Sequence, residues 1–96
     1  MKMKLTYDQK RVYDMLYKDG IIKYSGILAI IKYSGILADI DFNKLVNILV
    51  NLRKSNLIYS FIDLENNLCY KLRKDNPYYI KRKRSENLNK IKDESY

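Results

Sequence analysis

Residues 21–29 read Ile-Ile-Lys-Tyr-Ser-Gly-Ile-Leu-Ala, and residues 30–38 repeat them without a change. No other feature of the chain constrains its fold as tightly. In one continuous helix, a shift of nine residues turns the second copy through about 900°, half a turn out of phase. In one continuous strand, an odd shift sends every side chain to the opposite face. The two copies therefore cannot bury the same face along one unbroken element. Either each contains a break, for which Ser-Gly is suited, or they occupy different environments. Two units are also too few for a repeat array, which needs about three or more to be stable. The repeat reads as an in-frame duplication inserted into a fold that needs one copy.

Around it, ordinary signals are dense. Thr6-Tyr7-Asp8-Gln9 fits a capping box. Val12, Tyr13, Leu16 and Tyr17 follow at helical spacing, and Asp19-Gly20 closes the segment. This predicts a first helix over 7–18. Asp41 is a good N-cap, and Phe42, Leu45, Val46, Leu49 and Leu52 form the strongest apolar stripe, so a helix is expected from 42 to 54 or 55. Leu57-Ile58-Tyr59-Ser60-Phe61-Ile62 then switches to β-branched and aromatic residues. Asp63 to Asn67 is turn chemistry, and Leu68, Tyr70 and Leu72 alternate, so 57–73 reads as a β-hairpin. Cys69 falls out of phase with that face, and is expected to be either structural or a partly exposed thiol of no clear role. Asp75-Asn76-Pro77 breaks the chain. Residues 78–96 are polar and basic, either a fraying helix or a disordered tail.

This order of elements resembles the winged-helix branch of the helix-turn-helix DNA-binding proteins. Ile30-Ile31-Lys32-Tyr33 is similar to the short first strand of that fold, and Ser34-Gly35-Ile36-Leu37-Ala38 to the start of its second helix. Asp39-Ile40-Asp41 is similar to the turn, Phe42 to Lys54 to the recognition helix, and Ser55-Asn56-Leu57-Ile58 to the exit into the wing. The resemblance covers about residues 6–73, and its style is that of small archaeal and archaeal-virus regulators. It implies an α+β winged helix-turn-helix: three helices, a β-hairpin wing, and an insertion between the first and recognition helices. The expected domain spans 1–77, followed by a basic tail, 78–96. The second copy, next to the turn, is expected in the strand-and-helix place. The first copy then either packs against a second subunit or competes for the same slot.

Charge agrees with a polyanionic partner. Lys plus Arg number 19 and Asp plus Glu 11, for a net charge of +8 and a pI near 9.5. The resemblance implies duplex DNA, with residues 42–54 in the major groove. Opposite the apolar stripe lie Asn43, Asn47 and Asn51 at i, i+4 and i+8, with Lys44 beside them. Asn costs a helix a few tenths of a kcal/mol relative to Ala and pairs in bidentate fashion with adenine. Asn43, Lys44 and Asn47 are the expected base contacts. Asn51, Arg53, Lys54, Lys71, Arg73, Lys81, Arg82, Lys83 and Arg84 are the expected backbone contacts. The bland alternative is a solvated face in a chain rich in Asn and Lys. The hairpin tip carries Asp63 and Glu65 and no base, so the wing is expected to support the fold more than to read DNA.

Other chemistry is thin. There is no His, and Cys69 is the one cysteine, which excludes a Cys/His zinc site and removes the commonest general base. Asp39 and Asp41 are expected as a turn residue and a cap, and Ser25 and Ser34 as caps. No catalytic group, metal or cofactor is expected. No apolar run approaches a membrane span, and Met-Lys-Met-Lys-Leu lacks the apolar core of a signal peptide. The expectation is an intracellular DNA-binding homodimer, cytoplasmic or nucleoid-associated (nuclear in a eukaryotic host), and not an enzyme. The alternative is a protein–protein assembly module on the same scaffold.

Overall fold

The computed structural model describes residues 4–33 and 39–94. It is an α+β arrangement in the order α1 (Tyr7–Asp19), β1 (Ile22–Lys23), a 3₁₀ turn (Tyr24–Gly26), α2 (Ile27–Tyr33), α3 (Phe42–Lys54), β2 (Ile58–Ile62), β3 (Leu68–Leu72) and α4 (Pro77–Glu94). The three strands form one antiparallel sheet in the order β1-β3-β2.

Local chemistry sets the helix ends. Thr6 and Gln9 close the expected capping box: Thr6 Oγ1 accepts from the Gln9 amide at 3.1 Å, and Gln9 Oε1 accepts from the Thr6 amide at 3.0 Å. Gly20 ends α1 at φ 89, where a side chain would be strained. Asp41 caps α3, its carboxylate accepting from the Lys44 amide at 2.7 Å. At the far end of α3, Asn56 turns left-handed (φ 61), and the Leu57 amide reaches back to the Leu52 carbonyl.

The core lies between the inner sheet face and the helices. Val12, Tyr13, Met15 and Leu16 come from α1, and Leu45, Ile48, Leu49 and Leu52 from α3. Ile22, Ile58, Tyr70 and Leu72 meet them from the sheet. Ile48 thus joins the expected stripe, whereas Val46 and Phe42 are only half-buried.

The duplication resolves against expectation. The first copy, not the second, takes the strand-and-helix place. Ile22 pairs with Tyr70 and Lys23 with Cys69, and Ile27 is fully buried at the head of α2. Residues 30–33, expected as a strand, continue α2 instead. The physical reason is proximity: Ile22 reaches β3 two residues after Gly20. Use of the second copy would add nine residues to that loop, with an added closure cost. The expected helix start at Ser34 to Ala38 lies outside the described residues.

The fold has four helices among the described residues rather than three. The basic C-terminal segment is helical through Glu94. Asn76-Pro77 breaks one element and starts the next: Asn76 Oδ1 accepts from the Tyr78 amide at 2.8 Å, and Pro77 occupies the first helical position. The Asn76 amide group also donates to the Asn56 carbonyl at 2.9 Å, tying α4 to the end of α3. Tyr78 meets Tyr13 edge-on with ring centroids 4.9 Å apart, and Tyr79 meets Tyr17 at 5.7 Å.

Two outcomes test this packing. Ile22 is 1% exposed and Ile31 only half-buried, so Ile22→Ala should cost about 2–4 kcal/mol in denaturant melts and Ile31→Ala less than half of that. Equal costs would contradict first-copy occupancy. Tyr13 is 0% exposed and its hydroxyl has no hydrogen-bond partner among the described residues. Tyr13→Phe should therefore raise stability by about 1 kcal/mol, read as a Tm gain of about 4–8 °C.

Candidate nucleic-acid interface

The sequence-predicted contacts fall on three separate surfaces. On α3, Asn43, Asn47 and Asn51 are all exposed, because the opposite side carries Leu45, Ile48, Leu49 and Leu52 into the core. The stripe therefore projects from a helix whose rotation about its axis is fixed. Lys54 is exposed in the last turn.

Lys44 is engaged within the fold. Its ammonium lies 2.9 Å from an Asp8 carboxylate oxygen, and the other oxygen of Asp8 receives Arg11 at 2.5 Å. Arg11 also grips Asp39 with two bonds, of 2.8 and 3.1 Å. The chain Lys44–Asp8–Arg11–Asp39 ties the start of α3 to α1 and to the residue two before the α3 cap. Lys44, and then Arg11, hold the Asp8 carboxyl below the usual carboxylate range. Arg11 does the same for Asp39, and Asp8 in turn raises the Lys44 ammonium. Lys44 positions α3, with its charge already offset. Arg53 turns toward the sheet, donating to Ser60 Oγ at 3.1 Å.

Lys71 and Arg73 belong to a second surface. Ile58, Tyr70 and Leu72 face the core, and in antiparallel register Tyr59 sits opposite Lys71 on the other face. These cations therefore stand on the side of the sheet away from α3. The acidic hairpin tip has a structural cause. Asp63 Oδ1 accepts from the amides of Glu65 and Asn67 at 2.9 and 2.8 Å, while Asn66 turns left-handed at φ 65. The Asn67 amide is the main reason that the Asp63 carboxyl stays below its ordinary range. Cys69 is buried beside Asp63, and burial pushes its thiol up.

The basic run 81–84 forms the third surface, and it is not one patch. Four consecutive helical residues fan through about 300°. Lys81, Lys83 and Arg84 are exposed. Arg82 folds back to pair with Asp14, its guanidinium 4.0 Å from the Tyr17 ring centroid. Of the four, Arg82 joins α4 to α1.

The residues that spacing did not single out are aromatic. Tyr59 and Phe61 lie on the outer sheet face, and Tyr17 and Tyr79 close a cleft beside it. The alternation of 57–62 against 68–73 carries the signal for the first pair. Nothing in the sequence brings Tyr79 to Tyr17 without α4 in place. Among the described residues no helix is long and apolar enough to cross a membrane. No protein-family model, curated protein or solved structure matches the chain.

The three depressed carboxyls, Asp8, Asp39 and Asp63, give a pH prediction. Their contribution to stability is complete above the unfolded Asp value of about 3.9 and is lost as pH falls through the lower folded values. Thermal melts should therefore show Tm dropping below about pH 4. Asp8→Asn should lower Tm at neutral pH and flatten that acid limb; an unchanged limb would contradict the network.

Proposed function

We propose that this protein is a winged-helix DNA-binding protein, a transcriptional regulator or architectural factor, that sets α3 in the major groove of duplex DNA. One observation carries the reading: Asn43, Asn47 and Asn51 stand exposed on one line of a helix whose other side is locked in the core, in a chain of net charge +8. The element order and the three-stranded antiparallel sheet are compatible with that class. Asn43 and Asn47, nearer the N-terminal end of α3, read adenine edges. Asn51 and Lys54 meet the backbone at the rim. Lys81, Lys83 and Arg84 add long-range attraction rather than register. A single module of this size reads few bases, which favours a homodimer on a palindromic site.

Fluorescence anisotropy with AT-rich duplexes at graded salt tests the reading. Binding should be micromolar or tighter at low salt and should fall steeply as salt rises. Asn47→Ala should cost about 5- to 150-fold on the preferred sequence and little on others. Lys83→Ala should weaken all duplexes alike and reduce the salt slope by up to about 1. Absence of duplex binding at low salt would rule the proposal out.

A second reading, an assembly module, has its own observation. Leu28 and Tyr33 on α2 are 66% and 77% exposed, both within the duplicated segment. If that surface joins subunits, Leu28→Glu should convert a dimer to a monomer in light scattering, with DNA binding absent from the start.

A further inference from the structure

The outer face of the hairpin carries a pattern that duplex reading by α3 does not use. The Tyr59 and Phe61 rings project from β2, 5.8 Å apart and inclined at 33°. Each has a cation beside it, Lys71 from β3 and Arg73, the residue that follows that strand. Arg73 Cζ is 6.0 Å from the Tyr59 ring centroid, and Lys71 Nζ is 5.9 Å from that of Phe61. Rings therefore run along β2, and positive charges stand beside them on β3 and just past its end.

At the base of the hairpin this face opens into a cleft of about 710 Å³ between the end of α1, the hairpin and the first turn of α4. Tyr17, Tyr59 and Tyr79 contribute aromatic walls, and Lys71, Arg73 and Lys74 its cations. Asp19 and Asp75 also line it, leaving the positive charges in the majority. Two of the rings are fixed in place. Tyr17 is covered by Arg82 at 4.0 Å and its hydroxyl donates to Glu86 at 2.5 Å, an acceptor that pushes the phenol up to about 12. Tyr79 leans on Tyr17. Tyr59 is 37% exposed. No residue of α3 lines the cleft.

A simple anion would use the cations and ignore the rings, and an apolar ligand would do the reverse. A planar base carrying a phosphate uses both. Duplex DNA hides the faces of its bases inside the stack, whereas an unpaired nucleotide exposes them. The volume falls within the range of about 300–1,000 Å³ common to small-ligand sites. We propose that the cleft and the adjoining outer sheet face bind an unpaired nucleotide, its base against Tyr59 and its phosphate on Arg73 and Lys71. The site lies apart from α3 and does not depend on duplex reading there. The nucleotide can be free or part of a single strand.

The test uses the full chain and a labelled oligothymidylate of about twelve nucleotides in about 50 mM salt. Adenosine monophosphate and unlabelled oligothymidylate serve as competitors. Wild type should bind the strand. Tyr59→Ala should weaken binding by about tenfold or more, and Tyr59→Phe should retain it, because stacking needs the ring and not the hydroxyl. Arg73→Ala, at a second exposed position, should also weaken binding and lower the salt slope by up to about 0.7. Displacement by adenosine monophosphate would identify a free nucleotide as sufficient; displacement by oligothymidylate alone would identify a single strand as the ligand. Asn47→Ala should leave strand binding unchanged, and Tyr59→Ala should leave AT-rich duplex binding unchanged, so failure of one site is distinguishable from failure of the other. Wild type that does not bind the labelled strand, or a folded Tyr59→Ala variant that binds it as tightly as wild type, overturns the proposal.

Discussion

Ile22 pairs with Tyr70 across the β1–β3 edge, and this pairing anchors the duplicated segment to the hairpin. It adds the first copy of the duplicated segment to the hairpin as a third strand, and it places Ile27 at the head of α2 in the core. A third strand also matters energetically, since an isolated two-stranded hairpin is at best marginal in water. Because the period is nine, the second copy cannot repeat the first along the same element. Its first four residues lengthen α2 instead. There Ile30 and Ile31 are half-buried against the core rather than enclosed by it. The same side chains, in the same local order, thus have two different packing environments.

With that frame in place, the charge of the chain is partitioned. Ion pairs absorb part of it: Lys44 and Arg11 bind Asp8 and Asp39, and Arg82 binds Asp14. These pairs are exposed enough that each contributes little alone. Their effect is geometric, since one chain of contacts fixes α3 on α1 and another fixes α4 on α1. The remaining cations are divided between the rim of α3, the outer sheet face and α4. A net charge of +8 is therefore not a single footprint. Recognition is expected from the small exposed sets, the Asn stripe and the Tyr59–Phe61 face, with the dispersed charge supplying attraction at range.

Much of this was legible in the sequence where a local rule decides the structure. Thr6-Gln9, Asp41, Gly20 and the alternation of 68–72 each specify their own element, and each stands where the spacing puts it. The Asn stripe follows from the stripe opposite, and the side-chain exposure agrees. What was not legible depends on contacts between distant residues. Two identical segments offer no local basis for choosing between them, so the choice falls to loop length and to β3. Residues 78–94 look solvated by composition, yet Tyr78, Tyr79 and Arg82 find Tyr13, Tyr17 and Asp14 across the fold. Arg82 is expected from sequence as a phosphate contact and becomes a tether only once α4 lies on α1. Asp63, an oddity at a basic protein's hairpin tip, is explained by the two amides it caps.

In the proposed function, the exposed line of α3 is the surface that meets duplex DNA. Backbone amide NMR of the full chain, titrated with an AT-rich duplex, tests it most directly. The largest shift changes should cluster on α3 around Asn43, Asn47 and Asn51, with the outer sheet face nearly silent. Changes confined to α4 and the hairpin, with α3 unmoved, would contradict it.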